Sequence, residues 1–204
     1  MISLSAGPRL CHPRHMAAVQ TERAAPGSPV ATLLPGRAYG VQAPLLYYTS
    51  MLLRSRGWAV RTVEWEKVAG LDLTDHAAVS AFAAEVVATA DPARDVVVGK
   101  SLGSLALPAA AERGVAGIWL TPLLGVEDVR RAAARAPAST LLIGGTSDPF
   151  WDGAAAVATG AEVFEVSGAD HSLERPGDLQ ATLDILARVL SRIDARLSEL
   201  ADRR

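Results

Sequence analysis

The sequence predicts an α/β protein: a three-layer α/β/α sandwich around a mostly parallel, doubly wound sheet of about six strands. Three observations carry this. Six short apolar segments alternate with six helical segments along the chain. Several of the strand segments read as continuous apolar runs, which marks strands buried on both faces. The connections between segments are short, so right-handed crossovers place helices on both sides of the sheet.

Residues 1–28 carry Gly, Pro, Ser, Arg and two histidines with no helical or strand period and read as a flexible leader. The domain is expected over 29–204. Residues 29–34 (PVATLL) form a strand, stopped by Pro35-Gly36. Residues 44–56 have helical spacing in Leu45, Leu46, Tyr48, Met51 and Leu52, begin with a proline and end at Gly57. Trp58 to Trp65 is β-branched and aromatic, a strand. Residues 75–90 are a helix opened by Asp75, and Asp95 to Gly99 is a strand. Helices follow at 102–113, 126–135, 152–159 and 178–201, and strands at 115–120, 139–144 and 161–166.

Composition narrows the function. Twenty Lys and Arg against 22 Asp and Glu give a formal charge of −2. Nucleic acid is therefore not the expected partner, because phosphate binding needs clustered excess cation. The single cysteine, Cys11, excludes an internal disulfide framework and a cysteine-rich zinc site. No apolar run approaches the ~18 residues of a membrane span. The opening residues break at Gly7-Pro8-Arg9, too early for a secretory signal, so the expected compartment is the cytoplasm.

In a doubly wound sheet, ligands sit at the carboxyl ends of the strands. The segment Gly99-Lys100-Ser101-Leu102-Gly103-Ser104 lies between a predicted strand and a predicted helix, and reads G-x-S-x-G. That turn holds its serine in a strained conformation and needs small neighbours so that strand and helix can close on each other. Two more strand ends carry Gly145-Thr146-Ser147-Asp148-Pro149-Phe150 and Gly168-Ala169-Asp170-His171-Ser172-Leu173-Glu174. Ser101, Asp148 and His171 thus share one rim, in the order Ser, Asp, His. A serine hydroxyl needs a base to become a nucleophile. His171 is the histidine placed to serve, with Asp148 to orient it.

These motifs, over about residues 29–200, make the chain resemble the α/β-hydrolase superfamily, in its small lid-less branch near the dienelactone-hydrolase-like proteins and short esterases. The resemblance implies a reduced α/β-hydrolase fold, catalysis without cofactor or metal, and an oxyanion hole. One half of that hole would be the amide of Leu102. The other would come from the loop Pro35 to Gly40, with Gly36 and Arg37 as candidate donors. The chain departs from the family in three ways. Its two leading antiparallel strands are absent or reduced, the lid position holds only residues 121–125, and serine stands where the dienelactone hydrolases carry cysteine.

Several residues have competing readings. Gly99-Lys100-Ser101 could end a phosphate-binding P-loop, but position 94 is Arg94 rather than glycine and the intervening residues are strand. Lys100 is then a structural cation expected to pair with a carboxylate behind the turn. Asp170 adjoins His171 and braces its loop, and Asp152 caps a helix. Tyr39 and Trp151 are the candidate substrate contacts, while Tyr47, Tyr48 and Phe150 read as packing or rim residues. Arg130, Arg131 and Arg135 read as a solvated face. The expected function is a serine hydrolase acting on a small acyl ester or thioester; the alternative is a binding or scaffold protein on the same fold.

Overall fold

The computed structural model describes residues 18–22, 25 and 27–202. Most of the expected leader, residues 1–17, lies outside them. Among the described residues seven strands form one sheet: β1 (Val19–Thr21), β2 (Val30–Leu34), β3 (Ala59–Val63), β4 (Val96–Lys100), β5 (Ala116–Leu120), β6 (Thr140–Gly145) and β7 (Glu162–Val166), in the order β1-β3-β2-β4-β5-β6-β7. All neighbours are parallel except β1, which pairs antiparallel to β3 with Val19 opposite Val63. The strand β1 corrects the leader reading. Residues 19–21 are ordered by a partner some forty positions away, and local pattern carries no sign of it.

Among the described residues six α-helices flank the sheet: α1 (Pro44–Ser55), α2 (His76–Val87), α3 (Leu107–Arg113), α4 (Glu127–Arg135), α5 (Gly153–Ala158) and α6 (Leu179–Ala201). Their starts follow capping chemistry. Asp75, Asp152 and Asp178 each accept from backbone amides of the first turn of α2, α5 and α6. Pro44 opens α1, and Gly114 ends α3 with φ +69°.

Strand side chains alternate between two apolar layers. Leu34, Val97, Trp119 and Leu142 face α2, α3, α4 and α5, which add Phe82, Leu107, Val129 and Ala156. Leu33, Val98, Ile118 and Ile143 face α1 and α6, which add Leu46, Leu53, Val189 and Ile193. Both faces of the central strands are thereby dry, as their unbroken apolar sequence requires. No helix among the described residues is long and apolar enough to cross a membrane.

From β2 the chain winds outward to β3, then returns to place β4 on the other side of β2. The carboxyl ends of β2 and β4 flank this reversal, where a crevice opens between diverging connections. The loop from Pro35 and the turn at Ser101 meet there. At the two borders of the sheet stand the three-residue β1 and the strand β7, which carries Glu162 and Glu165.

Candidate active site

Ser101 follows the last residue of β4 and has φ +50°. A non-glycine residue in the left-handed region is strained and persists only where its surroundings hold it. Here the two glycines permit the close approach. A β-carbon on Gly99 would stand 2.6 Å from the Trp119 ring, and one on Gly103 would overlap the backbone carbonyl of Leu34. After Ser101 the chain runs as a tight 3₁₀ stretch over Ser101–Ala106 before α3 begins at Leu107. The expected single helix over 102–113 is therefore two segments, joined where Pro108 opens the regular one.

His171 lies in the loop after β7. Its Nε2 is 2.8 Å from Ser101 Oγ, and its Nδ1 is 2.7 Å from Asp148 Oδ2. An ionised carboxylate only accepts, so Nδ1 carries the proton and Nε2 is left to accept from the serine hydroxyl. The Asp148 side chain is 1% exposed and that of His171 29%. The other oxygen of Asp148 accepts from the Phe150 amide at 2.8 Å. The Phe150 ring stands edge-on to the imidazole, centroids 5.1 Å apart.

Asp170 accepts from the amides of Ser172 and Glu174, so it braces the loop, as expected. Leu173, in the same loop, has φ +59°, and Thr121, just after β5, has φ +44°. Ser101, Thr121 and Leu173 are the non-glycine residues with positive φ among the described residues, and all three surround this one rim. Backbone strain is thus concentrated where the three side chains meet.

Two expectations need correction. The Gly36 amide donates to the Tyr39 carbonyl at 3.1 Å, so it is not free to receive a ligand. The turn closes on itself, and a β-carbon on Gly36 would lie 3.2 Å from that of Tyr39 within the same turn. The amides of Arg37 and Leu102 have no partner among the described residues. Lys100 also differs. Its Nζ donates to Thr121 Oγ1 and to the backbone carbonyl of His171, each at 2.7 Å, and no carboxylate forms an ion pair with it among the described residues. The Tyr39 ring centroid lies 5.1 Å from the same nitrogen. Burial drives its pKa down from 10.5 to about 8, against the opposing pull of Asp148 and Asp170. The contacts of Lys100 with Thr121 and the His171 carbonyl escape sequence reasoning. The one available signal was a lysine inside a glycine-rich turn, where a buried charge demands partners.

A cavity of about 750 Å³ opens over Ser101. Leu73, Leu123, Leu124, Val126 and Trp151 give it apolar walls, and Tyr39 lines it beside Lys100. Trp151 packs its indole flat over Gly144 and donates to Glu165 at 2.8 Å. Both expected substrate contacts therefore border the cavity, as does Phe150, which is 61% exposed. Tyr47 and Tyr48 lie elsewhere, exposed on α1.

No protein-family model matches the chain, and no curated protein matches it in sequence. Solved structures do match. One is a lid-less α/β serine hydrolase of Xanthomonas campestris, with TM-score 0.59, 19% identity, and coverage of 91% of this chain and 88% of that one. Another is a dienelactone hydrolase of Anabaena variabilis, with TM-score 0.62, 19% identity and coverage of 89% and 90%. A third is α/β hydrolase domain-containing protein 10 of mouse, with TM-score 0.64, 13% identity and coverage of 89% and 94%. The fold is that of the α/β-hydrolases, in the form found in small lid-less serine hydrolases and dienelactone-hydrolase-like proteins.

Proposed function

We propose that this chain is a serine hydrolase that cleaves a small carboxylic ester or thioester. The observation that carries the reading is the continuous line Asp148–His171–Ser101, with contacts of 2.7 and 2.8 Å, at the floor of an apolar cavity. Ser101 Oγ attacks the acyl carbonyl as His171 Nε2 takes its proton. The tetrahedral oxyanion accepts from the unpartnered amides of Arg37 and Leu102. The imidazolium, held by Asp148, then protonates the leaving alcohol or thiol. Water enters, gives a proton to Nε2 and releases the acid, which restores Ser101. This chemistry draws on protein groups throughout. The apolar walls suit an acyl chain, with Trp151 and Tyr39 as contacts.

A fluorophosphonate probe tests the reading, because it reacts with a serine only where a base has activated it. The expected result is one labelled residue, Ser101, lost in Ser101→Ala and strongly slowed in His171→Ala. A folded wild-type protein that stays unlabelled would favour the binding or scaffold alternative.

A further inference from the structure

Lys100 sits immediately before the proposed nucleophile, yet it reaches across to the loop that bears the proposed base. Its side chain is fully enclosed, 1% exposed. Burying an ammonium is unfavourable, and an unbranched apolar residue of similar length would fill the space at less cost. The position of its partners offers a reason for the charge. One is the His171 backbone carbonyl; the other is the hydroxyl of Thr121, itself held in a strained conformation, whose amide donates to Ile143 at 2.6 Å.

We propose that Lys100 is a positioning residue: anchored on Thr121, its side chain clamps the His171 carbonyl and so sets the imidazole against Ser101. The inference rests on the hydrolase reading above and adds a component to it. Two links then join residues 100–101 to residue 171: Ser101 Oγ to Nε2 on the side chain, and Lys100 Nζ to the carbonyl on the backbone. The imidazole is fixed at both ends, because Asp148 takes Nδ1 from the third loop. Without the clamp, the His171 backbone has no hydrogen bond among the described residues, and its loop is braced from within by the bonds between Asp170 and Ser172, Leu173 and Glu174.

The groups around the ammonium come from every neighbouring loop: the Tyr39 ring after β2, Thr121 after β5, Asp148 after β6, and Asp170 with His171 after β7. A protonated donor makes a shorter and stronger bond to a carbonyl than a neutral amine does. With burial holding its pKa at about 8, the clamp weakens as the solution turns mildly alkaline. Hydrolysis therefore carries an alkaline decline that belongs to Lys100.

The test measures kcat and KM for a p-nitrophenyl ester, and the rate of fluorophosphonate labelling, across about pH 6 to 10. Wild type, Lys100→Met, Thr121→Val and Thr121→Ser are compared. In Lys100→Met, kcat and labelling rate fall about 10–100-fold with KM within about 3-fold, and the alkaline decline disappears. In Thr121→Val the decline moves to lower pH, because the ammonium has lost an acceptor; Thr121→Ser restores it. Lys100→Met with wild-type kcat, or with the decline still in place, overturns the proposal. Should Lys100→Met not fold, an unmoved decline in Thr121→Val overturns it equally. A labelled wild type with an unaffected Lys100→Met sinks this inference alone; an unlabelled wild type sinks the hydrolase reading and this inference together.

Discussion

Asp148 divides its two oxygens between the His171 ring, 2.7 Å away, and the Phe150 amide, 2.8 Å away, so one carboxylate sets both the imidazole and the turn beside it. Asp148→Asn keeps an acceptor for Phe150 but offers Nδ1 the wrong partner or the wrong tautomer. The expected loss is about 10⁴-fold in kcat with KM little changed, measured on an activated ester. Circular dichroism should show the fold intact.

The glycines of the turn give a stability prediction. A methyl group at Gly103 collides with the carbonyl of Leu34, the last residue of β2, which is paired with Gly99 of β4. Gly103→Ala should cost about 2–4 kcal/mol in urea denaturation. Gly125, with open space around it, provides the control, and Gly125→Ala should stay within about 0.5 kcal/mol of wild type.

Lys100 gives a stability prediction of opposite sign to its effect on activity. Its folded pKa, about 8, lies below its ordinary 10.5. Below about pH 8 both states hold the proton, and the buried charge counts against folding by on the order of 3 kcal/mol. Between about 8 and 10.5 the folded chain releases the proton while the unfolded chain keeps it, so this contribution to stability rises with pH. Urea denaturation of wild type and Lys100→Met should diverge over that window, with wild type gaining on the variant. A constant gap would contradict the assignment.

Trp151 forms an apolar wall of the cavity and rests on Gly144. Trp151→Ala opens space toward α5. In an acyl-chain-length series the preferred ester should lengthen, and kcat/KM for the shortest ester should fall by about 10-fold as wall contact is lost. An unchanged chain-length profile would place the acyl group elsewhere.

Much of this was legible in the chain, because each feature had a local cause. The central strands β2, β4, β5 and β6 are largely apolar runs, and helix starts are marked by Asp75, Asp152 and Asp178. That Ser101, Asp148 and His171 come together was legible because strand ends share one rim in a doubly wound sheet. What escaped depends on remote partners. Val19–Thr21 is a strand only by virtue of β3. The Gly36 amide is taken because the Pro35 to Gly40 turn folds back on Tyr39. Lys100 meets not the expected carboxylate but a backbone carbonyl of the loop after β7, and no local pattern encodes that meeting.

The borders of the sheet bear on how the protein behaves when crowded. Strand edges with bare amides and carbonyls invite a second chain to add itself, and that is how many β-rich proteins precipitate. Here one border is only three residues long, and the other sets Glu162 and Glu165 along its length, with Glu162 engaged by Arg192 of α6. Among the described residues neither offers a long apolar template, so sheet-to-sheet growth between copies is opposed by charge on one side and by brevity on the other.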